Sequence, residues 1–74
     1  MLVGKYNAKY IGKTMCGFEN EHEYIIDISK DLYGYQVNGT YDITDQDNSS
    51  ALIRLSSEKS VKTYFEIGED ITEI

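Results

Sequence analysis

The chain has 74 residues, with thirteen Asp or Glu against seven Lys or Arg and a formal net charge of −6. That length holds one domain, and 41% apolar residues support one small core. Gripping phosphates takes a positive face of Lys and Arg, so the charge balance excludes bare nucleic acid as the expected partner and favours a basic protein.

Cys16 is the only cysteine and His22 the only histidine. An internal disulfide is therefore impossible, a reduced thiol and a cytoplasmic location are expected, and no metal or other cofactor is. The opening Met1-Leu2-Val3-Gly4-Lys5-Tyr6 lacks an apolar run suited to export, and nothing approaches the ~20 apolar residues of a membrane span. Domains this small often gain stability from a second copy, so a homodimer is expected.

Lys5 to Ile11 alternate in polarity, with Tyr6, Ala8 and Tyr10 on one face and Lys5, Asn7 and Lys9 on the other. This is the pattern of a half-buried strand. Gly12 to Glu21, interrupted by Gly12, Gly17 and Asn20, reads as a long first loop. Glu23 to Ser29 form the next strand, Tyr24, Ile26 and Ile28 facing one way and Ile25, Asp27 and Ser29 the other. A turn at Lys30-Asp31 leads to a strand over Tyr33 to Val37. Asn38-Gly39 suits a type I′ turn, which joins Tyr35 and Val37 to Tyr41 and Ile43. One long bent strand with a glycine bulge is the alternative.

Thr44 to Ser50 hold no apolar residue and predict an exposed loop. Ala51 to Leu55 give a strand with Leu52 and Arg54 opposed to Ile53 and Leu55. Ser57 is placed to cap a helical turn through Val61. Tyr64 to Ile67 read as the final strand, and Gly68 to Ile74 as an acidic tail that frays or docks on a second subunit. Five or six short strands, a tyrosine content suited to pleated surfaces and no helical stripe make the expected fold all-β. It is read as one small barrel or open sheet over residues 1–67 with a tail at 68–74.

Lys9-Tyr10-Ile11-Gly12-Lys13-Thr14, then Gly17-Phe18-Glu19-Asn20 and Glu23-Tyr24, resemble a group of small SH3-like proteins of Gram-positive bacteria and phages. The resemblance covers about the first third of the chain and implies an SH3-like barrel with a short helical turn before the last strand. Between Gln36 and Asp47 the chain has no Trp or Pro-rich groove element, so the resemblance does not carry a Pro-peptide function. Size, acidity and tyrosine content are also similar to those of small early phage proteins that shut down host machinery, inhibitors of the bacterial sliding clamp among them. That resemblance implies an acidic body lodged in the positive channel that normally holds duplex DNA.

The acidic set is Glu19, Glu21, Glu23, Asp27, Asp42, Asp45 and Asp47. Glu19, Glu21 and Glu23 share one parity and project from one side if their segment is extended. Alternate strand residues lie ~7 Å apart, a spacing that imitates phosphates. Two readings stand: a protein-binding surface that mimics DNA, and an ordinary solvated face.

Other constellations carry less. Asp27 and Asp42 are a carboxylate pair without the cleft that acid–base chemistry needs in so short a chain, so no enzyme is expected. The loop from Asp42 to Ser50 lacks the Gly and terminal Glu of a calcium loop. Cys16 and His22 have no orienting third group, and Gly12-Lys13-Thr14 lacks the upstream spacing of a phosphate loop. Tyr6, Tyr10, Tyr33, Tyr35, Tyr41 and Tyr64 read as core or subunit-interface rings rather than base-stacking ones. The competing function is an SH3-like adaptor that binds a peptide or protein through a tyrosine-rich surface at Tyr33, Tyr35 and Tyr64.

Overall fold

The computed structural model of the protein describes residues 2–31 and 39–72. Five antiparallel strands form one sheet: β1 (Gly4–Tyr10), β2 (Glu23–Asp31), β3 (Thr40–Asp45), β4 (Asn48–Leu55) and β5 (Phe65–Asp70). A short helix, α1 (Glu58–Tyr64), precedes the last strand. The spatial order is β4-β3-β2-β1-β5, so β5 returns to pair with β1. The fold is thus mostly β, as expected, with one short helix before the last strand.

Strand parity follows the sequence pattern. Tyr6, Ala8 and Tyr10 of β1 face the core, as do Ile26 and Ile28 of β2, Tyr41 and Ile43 of β3, and Ala51 and Ile53 of β4. Phe65 of β5 joins the same cluster, so both edge strands of the sheet enclose one core. Each buried large aliphatic or aromatic side chain contributes about 1.5–3 kcal/mol relative to exposure.

The first loop is packed rather than open. Met15 and Phe18 exchange two backbone hydrogen bonds of 2.9 Å each, which closes a two-residue turn at Cys16-Gly17. Cys16 has φ 54° and Gly17 φ 87°, the left-handed values of a type I′ turn. The turn drops Phe18 into the core with no exposed surface. There its ring lies 5.6 Å from Tyr10, 5.3 Å from Phe65 and 5.0 Å from Tyr24. Asn20 secures the loop by donating its side-chain amide to the Gly12 carbonyl at 2.8 Å and its backbone N–H to Thr14 Oγ1 at 2.9 Å. The Tyr10 hydroxyl donates to the Lys13 carbonyl at 2.6 Å. Burial, more than the nearby Tyr64 and Cys16, raises the Tyr10 pKa above the ordinary phenol value.

A Cβ on Gly17 would stand 2.7 Å from the Ala51 Cβ and 3.0 Å from its Cα. Gly17→Ala is expected to destabilise the fold by roughly 1–3 kcal/mol, through the left-handed backbone and that overlap together. A urea midpoint unchanged from the parent would show that this turn does not seat against β4.

Four expectations need correction. The apolar-free stretch Thr44 to Ser50 is no loop: Thr44 and Asp45 end β3, Asn48 to Ser50 begin β4, and only Gln46-Asp47 turn. Polar residues complete these strands because the backbone ladder asks nothing of side chains at the exposed end of a hairpin. Tyr64 closes α1 instead of opening the last strand, because the helix runs through it from its Ser57 cap before the backbone turns extended at Phe65. Ser57 Oγ accepts the Ser60 N–H at 3.1 Å, with Glu58 in the first turn and Lys62 in the last. Lys30-Asp31 belong to β2, and β3 pairs with β2 and β4 on its two sides, Thr40 lying opposite Asp31 and Tyr41 between Lys30 and Leu55. Both ladders of β3 are thus occupied, which leaves it no edge for an Asn38-Gly39 hairpin with Tyr33 to Val37. Residues 33–38 themselves lie outside the described residues.

Finally, the acidic end is structured through Thr72. Strand β5 extends to Asp70, opposite Tyr6, and the Ile71 N–H donates to the Lys5 carbonyl at 2.8 Å. Asp70 Oδ1 accepts the Thr72 hydroxyl at 2.5 Å and its N–H at 2.9 Å, and these bonds hold the Asp70 carboxyl below its ordinary value. A depressed carboxyl contributes stability above its unfolded pKa of ~3.9 and loses it as pH falls through the folded value. Thr72→Val is therefore expected to raise the Asp70 titration midpoint, read by carboxyl-carbon NMR. An unmoved midpoint would remove Thr72 as the cause.

Candidate protein-binding site

The outer face of the sheet carries the residues of opposite parity to the core. Register sets their neighbours: Lys5 lies opposite Asp27, Asn7 opposite Ile25 and Lys9 opposite Glu23. On the other side of β2, Asp27 faces Thr44 and Ser29 faces Asp42, and Asp42 in turn faces Arg54 of β4. Cations and carboxylates therefore interleave across much of this face.

Several of the predicted acidic residues have a basic neighbour. Glu21 Oε2 is 3.0 Å from Lys9 Nζ, a contact that raises the Lys9 pKa, first through the hydrogen bond and then through the Glu21 charge. Asp42 Oδ1 is 3.4 Å from Arg54 Nε and also accepts the Thr40 hydroxyl at 3.2 Å. Glu19 Oε2 is 3.1 Å from His22 Nδ1, an ion pair only when the imidazole is protonated. Glu19 and Glu21 do not share an extended side with Glu23. They lie in the folded end of the first loop, where Glu21 has φ 69° and its N–H donates to the Tyr10 carbonyl at 2.7 Å. The seven carboxylates are not one continuous array.

Three of them are brought together. Glu23 at the start of β2 and Asp45 and Asp47 at the β3–β4 turn line an open depression of about 650 Å³ together with Asn7, Ala8, Tyr24 and Ile25. The Gln46 N–H donates to the Ile25 carbonyl at 2.9 Å and fixes the turn against β2. Asp45 Oδ1 accepts the Asp47 N–H at 3.0 Å, so one carboxylate shapes the turn that presents the other. Among the described residues, none of the three has a Lys, Arg or His within ion-pair distance. The depression combines three carboxylates with the apolar Ala8, Tyr24 and Ile25, a mixture that suits a Lys- or Arg-bearing protein surface. Asp27 stands farther along the outer face, opposite Lys5.

The remaining expectations are placed as follows. Tyr6, Tyr10 and Tyr41 are buried in the core, and Lys30 Nζ covers the Tyr41 ring at 4.1 Å from its centroid. Tyr33 and Tyr35 lie outside the described residues, and Tyr64 is half-buried at the end of α1. Among the described residues, no helix is long and apolar enough to cross a membrane. Set against family models, curated proteins and solved structures, the chain matches none of them.

Proposed function

We propose that this is a non-enzymatic, phage-type inhibitor that binds a basic surface of a host DNA-replication protein, most specifically by occupying the DNA channel of the sliding clamp. The observation that carries the reading is the depression at Glu23, Asp45 and Asp47, whose carboxylates, among the described residues, have no Lys, Arg or His within ion-pair distance, although Lys9 lies opposite Glu23, in a chain with net charge −6. Surplus negative charge speeds encounter with a basic target and confers specificity. A channel lined with Lys and Arg offers the matching field.

The test is capture of the sliding clamp of a Gram-positive bacterium on immobilised protein. Binding near ~50 mM salt that is released near ~500 mM supports the reading, since the Debye length shortens from roughly 14 to 4 Å over that range. Failure to bind at low salt, or retention unchanged at high salt, overturns it.

A further inference from the structure

A second surface of opposite character lies between the first loop and the helix. Ile11, Gly12, Lys13 and Met15 form one wall of an open groove of about 450 Å³, and Thr63 and Tyr64 form the other. Its apolar lining is exposed, 37% at Ile11 and 43% at Met15. The walls are joined by backbone: the Ile11 N–H donates to the Tyr64 carbonyl at 2.9 Å. Bonds from Asn20 and Tyr10 to the Gly12 and Lys13 carbonyls hold the loop side in place. The groove is thus built before any ligand arrives, which lowers the entropy cost of docking.

Lysines accompany this lining. Lys13 lines the groove directly, and Lys59 stands one helical turn before Thr63 on the same face, its carbonyl accepting the Thr63 hydroxyl at 2.9 Å. Lys62 lies in the last turn of α1. Among the described residues, none of these lysines is within ion-pair distance of a carboxylate, whereas Lys9 and Arg54 on the outer face each are. In a chain of net charge −6, this end keeps cations available.

From this apolar lining, the Lys13 within it and the lysines of the adjoining helix, unpaired among the described residues, we propose that the groove docks an acidic segment of a partner protein that offers one apolar anchor side chain flanked by Asp or Glu. The anchor covers Ile11 and Met15, and the flanking carboxylates meet Lys13 and Lys59. This site is separate from the acidic depression and does not rest on it.

The probe is a synthetic ten-residue peptide with a central Leu flanked by Glu, compared with versions carrying Lys for Glu and Ala for Leu. Backbone amide shifts of the isotopically labelled protein report where it binds. Expected are shifts concentrated at residues 11–15 and 63–64, a preference of about tenfold for the acidic over the basic peptide, and a loss of about tenfold in Lys13→Glu, with Met15→Ser also weakened. Both substitutions are at exposed positions, and their unperturbed spectra elsewhere would confirm the fold. Absence of shifts at these residues, equal binding of the basic peptide, or the same shifts on concentrating the protein alone would each overturn the proposal. The last outcome would assign the groove to a second copy of the chain.

Discussion

Glu23→Lys and Asp47→Lys combined with Asp45→Asn are expected to weaken binding to the sliding clamp by on the order of 100-fold at low salt. An exposed ion pair contributes about 0.2–1 kcal/mol, and reversing a charge replaces an attraction by a repulsion. Two reversals and one neutralisation therefore remove about 1–5 kcal/mol, with tenfold for each ~1.4 kcal/mol. Asn is chosen at position 45 because the Asp45 side chain accepts the Asp47 N–H at 3.0 Å, an acceptor role that the amide oxygen retains. The three residues lie outside the buried core, and the one new like-charge pair, Lys opposite Lys9, is exposed, so the thermal transition of the variant is expected to fall by only a few degrees. Isothermal titration at two salt concentrations reads the effect. The parent and variant affinities converge at high salt if the loss is electrostatic. Equal affinities at low salt would exclude the depression as the contact surface.

Phe18→Ala is expected to cost about 3–5 kcal/mol of folding stability, the range for removing a buried aromatic ring. A domain of this length is stabilised by roughly 4–11 kcal/mol in all, on the scale of 0.05–0.15 kcal/mol per residue. The variant should then melt on the order of 20 °C lower. The magnitude follows from what the ring touches. Phe18 comes from a loop, yet it has no exposed surface and lies within 5.0–5.6 Å of the Tyr10, Tyr24 and Phe65 rings, which come from β1, β2 and β5. Deleting it opens a void where three strands converge. Thermal and urea denaturation measure the loss, and a change below about 1 kcal/mol would mean that the loop side chain is not a structural part of the core.

These expectations depend on features unequally visible in the chain. The inward faces of β1 and β2 are legible because alternation at Tyr6-Ala8-Tyr10 and Tyr24-Ile26-Ile28 is a local property, and a one-residue slip would expose every apolar side chain. The ending of β3 and start of β4 are less legible, because Thr44, Asp45 and Asn48 to Ser50 have no apolar residue to declare a strand. Their pairing comes from the ladder across the Gln46-Asp47 turn. Helix α1 is longer than its cap suggests, since burial of Val61 supports a segment whose local sequence is ambiguous.

The amino-acid order by itself determined the net charge, the strand-rich character and the residues that turn inward, because each depends on composition or on the two-residue period of an extended chain. Only the tertiary structure decided which charges meet. Register set Arg54 against Asp42 and Lys5 opposite Asp27, while the folded first loop took Glu21 to Lys9 and kept Glu19 and Glu21 out of line with Glu23. The β3–β4 turn then carried Asp45 and Asp47 to Glu23, more than twenty residues away in sequence. Cross-strand neighbours are fixed by backbone pairing between distant segments, and no local pattern in the chain encodes them.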